Sequence, residues 1–274
     1  MKVWLDGELV ESDQVAFDAF SHGLTSGLGA FETLSAERGF CFQAERHFDR
    51  LRAGLRRLGL DCPENTELES AIFNALSGNS LADVSARVRI TALAGSGSAV
   101  RMMVSAVPYQ RPSGRVRLGI SRFQRNGHSA IAGIKSVSYA ESLLAIREAQ
   151  QNGWDEVLML NTAGQVCECA TANVFLKLGG NWLTPRLSSG CLGGVMRGVA
   201  LERSSQFGLN IAEADLHREV LDEAEGAFIS NSLRGIQFAA ALKGRTLPSP
   251  SATELGFQTA ILRMITGEPK RLES

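Results

Sequence analysis

The sequence predicts an α+β fold in two domains, and three observations lead there. The 274 residues are 44% hydrophobic and 21% charged, an ordinary globular composition with enough chain for one large or two modest cores. Helical and strand patterns are mixed without the strict strand–helix alternation of a doubly wound sheet, and no internal repeat of ~20–50 residues is visible. The segment Gln110 to Gly114 (QRPSG) breaks the pattern just before a fresh strand, which places a boundary near residues 108–118 and divides the chain into 1–112 and 118–274.

Taken in order, VWLDGELV reads as two short strands around Asp6-Gly7, a hairpin dipeptide. A polar, glycine-punctuated loop, SHGLTSGLGAFETL, then leads into a strand. From His47 to Leu60 the apolar residues Phe48, Leu51, Leu55 and Leu58 fall at the spacing of an amphipathic helix whose other face is arginine-rich. A second helix is expected to start near Thr66, where Thr66 and Glu69 have capping-box spacing ahead of Leu68, Ile72, Phe73 and Leu76. ARVRITALAG and VRMMVSAVPY alternate as strands. Beyond the boundary come a strand at Val116–Ser121, a helix from about Tyr139 to Gln151, the strand EVLML, a turn at Asn161–Gly164 and one long strand region, QVCECATANVFLKL. Gly179-Gly180-Asn181 turns into WLTP, helices are expected at about 193–206 and 218–225, and AFISNS is a strand.

A net charge of −1 and a pI near 6.5 leave no electrostatic footprint for nucleic acid, so the expected partner is a small molecule. Five scattered cysteines (Cys41, Cys62, Cys167, Cys169, Cys191), with no CxxC pair, read as reduced thiols, with neither a disulfide scaffold nor a metal site. MKVWLDGELVESD meets Asp6 before any apolar run resembling a signal peptide, and no apolar stretch approaches the ~20 residues of a membrane span, so a cytoplasmic location is expected.

Lysine occurs only at Lys2, Lys135, Lys177, Lys243 and Lys270 among the 28 basic residues, so arginine supplies most of the positive charge. Lys135 lies between apolar and small residues in AGIKSVSY. By itself it reads first as a lysine snorkelling from a helix start. The sharper reading is a desolvated, neutral amine able to attack an aldehyde. Glu168, in QVCECATANVF, reads alone as an edge-strand carboxylate facing water; buried, it would need a partner, and a protonated pyridine nitrogen suits it. Ser188 to Arg197 (SSGCLGGVMR) is a glycine-containing loop entering a helix, either a simple connector or an anion site made by helix N-terminal amides. Ser230-Asn231-Ser232 adds hydroxyl and amide donors, and Arg50 a charge-assisted contact to the same anion. Together these residues describe a pyridoxal phosphate site.

With those segments in view, the chain closely resembles the fold-type IV pyridoxal phosphate enzymes, the class IV aminotransferase family, over nearly its whole length. HGLTSGLGAFETL is similar to the family's N-terminal loop and strand, HFDRL to its arginine-bearing helix and IKSVSYAESLLAIREAQQNGWDEVLML to its lysine segment. VCECATANVF is similar to its glutamate strand, and TPRLSSGCLGGVMR to its phosphate helix. The resemblance implies that pyridoxal 5'-phosphate binds at the domain interface, that Lys135 bonds it and shuttles the proton, and that Glu168 keeps its ring nitrogen protonated. It further implies that Arg50, Val195, Met196 and the Asn231-Ser232 turn hold the phosphate, that Leu192 packs against the ring, and that Tyr139 lies near its phenolic oxygen. Two positions depart from the family pattern: Leu28 replaces an acidic residue of the N-terminal loop, and Met196 a threonine or serine beside the phosphate.

His22 reads as solvated or core-satisfied before it reads as a substrate contact from a facing subunit, and His47, His128 and His217 receive no role. Cys167 and Cys169 share a strand face and read as buried small side chains. Glu32 and Thr33 point to opposite sides of their strand, one of them toward substrate; Arg87 and Arg89 read as surface residues, or as contacts to a substrate carboxylate. The resemblance implies a homodimer whose sites are completed by partner loops. It leads to aminodeoxychorismate lyase, which converts 4-amino-4-deoxychorismate to 4-aminobenzoate and pyruvate, with an aminotransferase of branched-chain or D-amino acids as the alternative.

Overall fold

The chain opens with the expected hairpin: β1 (Lys2–Leu5) and β2 (Glu8–Glu11) pair across Asp6 and Gly7, both at positive φ, as a tight two-residue turn requires. This computed structural model describes residues 1–267, so the last seven positions of the expected 118–274 domain lie outside the described residues. In it the chain forms two units, one comprising Met1–Arg111, Ile134–Ser138 and the described residues from Met264, the other Pro112–Gly133 and Tyr139–Arg263.

In the first unit the hairpin is followed by α1 (His22–Thr25), β3 (Gly29–Glu37), β4 (Phe40–Cys41), α2 (Ala44–Arg57), α3 (Asn65–Gly78), β5 (Ser85–Ala94) and β6 (Val100–Pro108). The strands make one antiparallel sheet in the order β2-β1-β6-β5-β3-β4. Ala30, Leu34 and Ala36 of β3 pack in one core with Phe48, Leu51 and Leu55 of α2 and Leu68, Ala71 and Ile72 of α3. The amphipathic stripe read from HFDRLRAGLRRL is therefore the buried face of α2. The capping box at Thr66 does not form: α3 begins one residue earlier, its N-cap is Glu64, and no side chain caps it.

The second unit runs β7 (Val116–Arg125), α4 (Ala140–Gln151), β8 (Glu156–Asn161), β9 (Val166–Cys169), β10 (Asn173–Leu178), β11 (Asn181–Pro185), α5 (Val195–Arg203), β12 (Ile211–Ala214), α6 (Val220–Glu223), β13 (Gly226–Asn231), β14 (Gly235–Leu242), β15 (Arg245–Thr246) and α7 (Ala252–Thr266). Its mixed sheet has the order β12-β11-β10-β13-β14-β7-β8-β9, with β15 on β14. The β11–β12, β14–β7 and β7–β8 pairs are parallel. Phe175 and Phe228 stack at 4.3 Å between ring centroids across β10 and β13. The long strand expected over QVCECATANVFLKL is two strands, because residues 170–172 leave the ladder between β9 and β10.

A single cut does not describe the partition. The sequence assigned the lysine segment to 118–274, but Ile134–Ser138 belongs to the first unit. The reason is an edge: β4 covers β3 only at Ala36 and Glu37, and the other end of that edge pairs with residues 134–138 instead. Phe31 N–H donates to Lys135 O at 2.8 Å and Val137 N–H to Gly29 O at 3.1 Å, around an antiparallel bridge between Ala30 and Ser136.

Candidate active site

Strand alternation puts Phe31 and Thr33 on the sheet face opposite the helices. On that face Lys135 Nζ lies 4.5 Å from the centroid of the Phe31 ring, and the guanidinium carbon of Arg89 lies 3.8 Å from the same centroid. Arg89 sits directly across from Thr33 in the β3–β5 ladder and donates from Nε to Thr91 Oγ1 at 3.2 Å. The amine and the guanidinium thus share one aromatic plate, each held by its backbone pairing and a cation–π contact. Arg87, two residues earlier, is exposed.

Glu32 points the other way, into the helix-facing core, and is fully buried at 0% exposure. The expectation that one of Glu32 and Thr33 meets substrate therefore leaves Thr33. Arg50 grips Glu32 with both edges of its fork, Nε to Oε1 and Nη2 to Oε2, each at 2.7 Å, and His47 Nδ1 donates to Oε2 at 2.7 Å. Burial alone would raise the Glu32 pKa; the Arg50 and His47 partners outweigh it and bring the carboxyl down to about 2. Burial holds the His47 imidazole below its ordinary pKa, consistent with a neutral ring.

In the second unit Glu168 keeps a side-chain exposure of 12%. Its Oε2 accepts from the Leu192 amide at 2.9 Å and its Oε1 from Arg125 Nε at 3.1 Å. Arg125 is held in turn by Ser142 Oγ at 2.6 Å and Glu141 Oε2 at 3.2 Å. These contacts fix the plane of the Glu168 carboxylate.

The loop before α5 is shaped by close approaches. Gly190, at φ 93°, lies where a Cβ would come within 2.5 Å of the Gly127 backbone, and at Gly194 a Cβ would fall 1.9 Å from Asn173 Oδ1. Asn173 Nδ2 also donates to Leu192 O at 2.8 Å, and Asn161 Nδ2 to Ser189 O at 3.1 Å. Gly194 is the N-cap of α5 and no side chain caps that helix. The first-turn amides of Val195, Met196 and Arg197 have no intrahelical acceptor, which is a donor set that suits a phosphate.

Several expected residues have other tasks here. Tyr139 Oη donates to Ala170 O at 3.0 Å, so its one proton is committed to the turn after β9 and the expectation that it serves a phenolic oxygen is not carried by this geometry. Asn231 Oδ1 accepts from the amides of Leu233 and Arg234 at 3.1 and 2.8 Å, and Nδ2 donates to Thr171 O at 3.2 Å. Its side chain thus builds the turn. Met196 is buried, and Leu28 packs against the first unit's core. His22 and His128 are exposed; His217 bridges Gln165. Cys167 and Cys169 are buried, and burial pushes both thiols up. Among the described residues no group of His, Cys, Asp and Glu could hold a metal ion, and no helix is long and apolar enough to cross a membrane.

Arg125 and Asn173 were not singled out in the sequence. Arg125 lies ten positions before Lys135 and beyond the strand read at Val116–Ser121, where the alternation of VRLGIS has already broken at Arg122. Asn173 carried no usable signal, since its role depends on a loop two elements away.

Among known proteins, the model of the amino-transferase class IV family matches residues 29–242. A putative branched-chain-amino-acid aminotransferase of Methanocaldococcus jannaschii is 26% identical over 266 residues, covering 93% of this chain and 92% of its own. The aminodeoxychorismate lyase of Bacillus subtilis is 27% identical over 248 residues, covering 84% and 83%. The branched-chain aminotransferase of Thermoproteus uzoniensis, solved with norvaline, superposes with a TM-score of 0.91 at 27% identity over 99% of this chain and 96% of its own. The branched-chain amino acid aminotransferase of Escherichia coli shares the fold at a TM-score of 0.88 and 23% identity, over 100% and 97%. An edge-paired lysine, a glutamate held by an arginine and a loop amide, an uncapped glycine-entered helix and this family match lead to one conclusion: the chain belongs to the class IV aminotransferases and is a pyridoxal phosphate-dependent enzyme.

Proposed function

We propose that the enzyme transfers amino groups between an amino acid with an apolar side chain and a 2-oxo acid. The observation that carries this reading is the plate formed by Phe31, with Lys135 Nζ at 4.5 Å and Arg89 at 3.8 Å from its centroid: a reactive amine, a fixed guanidinium for a carboxylate and an apolar wall lie together. Support also comes from the branched-chain aminotransferases of Methanocaldococcus jannaschii and Thermoproteus uzoniensis, which match most of the chain.

Pyridoxal phosphate supplies an aldehyde that takes up the amino group and a ring that withdraws electrons from the reacting carbon. With it bound, Lys135 Nζ would hold and move the proton at that carbon, and the Glu168 carboxylate, set by Arg125 and the Leu192 amide, would keep a proton on the ring nitrogen. The α5 amides at Val195 and Met196, Arg50 and Ser232 would hold the phosphate, Leu192 would pack on the ring, and Arg89 would orient the substrate carboxylate. Homodimer formation is part of this reading; Phe20, just before α1, and Leu24 within it, both large apolar residues left exposed, support it.

A second reading is aminodeoxychorismate lyase, favoured by the Bacillus subtilis relative and by the lysine and phosphate-helix segments. One experiment separates them. The holoenzyme is given leucine, isoleucine or valine with 2-oxoglutarate, and in parallel 4-amino-4-deoxychorismate. Glutamate formation with any of the three amino acids supports transamination. Formation of 4-aminobenzoate without glutamate overturns that reading in favour of the lyase.

A further inference from the structure

The Glu32–His47–Arg50 cluster has a feature that packing does not account for. A glutamate stands at 0% exposure on the core side of β3, where its neighbours in the alternation, Ala30, Leu34 and Ala36, are apolar and buried. Replacing a buried ion pair by apolar residues of similar volume is commonly neutral or stabilising, so burial of these charges needs another use. The geometry offers one. His47 and Arg50 are three residues apart on α2 and therefore share a face, and both reach the same carboxylate at 2.7 Å. Arg50 keeps 16% of its side chain exposed, so one end of the cluster is sealed and the other reaches the surface of the unit. A guanidinium carries five N–H donors in a rigid plane; the Glu32 fork takes two of them and thereby fixes where the other three point.

We propose that Glu32, braced by His47, is a positioning residue that fixes the Arg50 guanidinium for the phosphate of the cofactor. The proposal rests on the reading of Arg50 as a phosphate ligand. A pre-oriented fork meets the phosphate without the loss of side-chain freedom that an untethered arginine suffers on binding. Against this stands a charge effect: Glu32 partly neutralises Arg50, so removing it would strengthen the pull on a dianion. The two effects have opposite signs in the same measurement, which makes the proposal decidable.

The test titrates the full-length chain, stripped of cofactor, with pyridoxal phosphate and with pyridoxal, which lacks the phosphate. In Arg50→Ala, affinity for pyridoxal phosphate falls about tenfold to a hundredfold while affinity for pyridoxal stays within about twofold. Glu32→Gln reproduces the pattern, with a loss of about fivefold to tenfold confined to pyridoxal phosphate, and Glu32→Gln/Arg50→Ala is no weaker than Arg50→Ala alone. Glu32→Asp, which keeps the charge and withdraws it by one methylene, gives the same phosphate-confined loss at smaller size and is read alone if the glutamine variant does not fold. Unchanged affinity in Arg50→Ala overturns the reading of Arg50 and the proposal with it. A normal Arg50→Ala result alongside unchanged or tighter binding in the Glu32 variants overturns only the proposal, leaving Arg50 as the anchor. Equal weakening for both ligands, with a lowered Tm, also overturns it by making Glu32 a residue of the fold alone.

Discussion

Glu32 and Glu168 are both strand glutamates gripped by an arginine, yet one is sealed in a core and the other stands at a loop. Glu32 meets a symmetric fork and a histidine, all at 2.7 Å, and no part of it is exposed. Glu168 meets one arginine nitrogen at 3.1 Å and one backbone amide at 2.9 Å, and 12% of its side chain is exposed. Arg125 is divided among Glu168, Glu141 and Ser142, whereas Arg50 turns two donors to one carboxylate. The difference separates two uses of the same pair. A sealed carboxylate acts only through what it orients, whereas a partly exposed one can also be reached from outside the core.

The largest expected effect tests whether chemistry belongs beside either glutamate at all. Lys135→Ala should leave a folded protein with no measurable turnover, because the amine and the proton shuttle are lost together. Borohydride reduction of the wild-type holoenzyme should fix the cofactor to the peptide bearing Lys135. Labelling at Lys177 or Lys243 would move the site away from Phe31.

Next in size is Glu168→Gln, which keeps the shape but removes the charge and turns one of the two acceptor oxygens, toward Arg125 or the Leu192 amide, into a donor. Turnover should fall by about a hundredfold or more with cofactor still bound, read as kcat at saturating substrate. Near-normal kcat would make Glu168 a second structural carboxylate and erase the contrast with Glu32.

The third prediction concerns stability, where the order reverses. Glu32 has its pKa lowered from 4.5 to about 2 in the folded chain. A depressed carboxyl contributes stability that is complete above the unfolded value and is lost as pH falls through the folded one. Here the window runs from 4.5 down to about 2 and is worth about 3 kcal/mol. His47, depressed by burial below 6.5, acts in the same direction, since the unfolded chain takes up that proton first on acidification. Glu156 acts oppositely: buried, with its pKa raised, it contributes most below 4.5 and less as pH rises. Denaturant unfolding of Glu32→Gln should therefore show lower stability at pH 7 and a flatter fall below pH 4.5 than wild type. Parallel curves would mean that the Arg50 fork does not hold Glu32 ionised.

Much of this was legible in advance, for identifiable reasons. The stripe of Phe48, Leu51 and Leu55, the Asp6-Gly7 turn and the two long strands of the first sheet follow from local periodicity and turn chemistry. Lys135 and Glu168 read singly as a snorkelling lysine and an edge-strand carboxylate, and only their company with the glycine-containing loop of SSGCLGGVMR and the family resemblance raised them to site candidates. The allegiance of residues 134–138 was not legible, since it depends on which edge of β3 is left open by the two-residue β4. Nor was the fate of Asn231: the same side chain serves a ligand or a turn equally well in sequence, and the amides of Leu233 and Arg234 decide for the turn. Thr66 lost its capping role because α3 starts one residue earlier.

A smaller effect sharpens the second-unit side of the comparison. Asn231→Ala removes the acceptor for two turn amides and should cost about 1 kcal/mol of stability, while affinity for pyridoxal without its phosphate stays within about twofold. A loss in pyridoxal binding comparable to that of a ring contact would place Asn231 on the cofactor itself.

The division of labour between the two glutamates is tested most directly by one half-reaction. Wild type, Glu168→Gln and Glu32→Gln, each saturated with pyridoxal phosphate, are mixed with an excess of whichever of leucine, isoleucine and valine the wild type turns over fastest. Conversion of the cofactor to its amine form is followed by absorbance. The account predicts a rate constant lower by about a hundredfold or more in Glu168→Gln and within about threefold of wild type in Glu32→Gln, because a phosphate anchor does not take part in the reacting bonds. Equal slowing in both variants would contradict it.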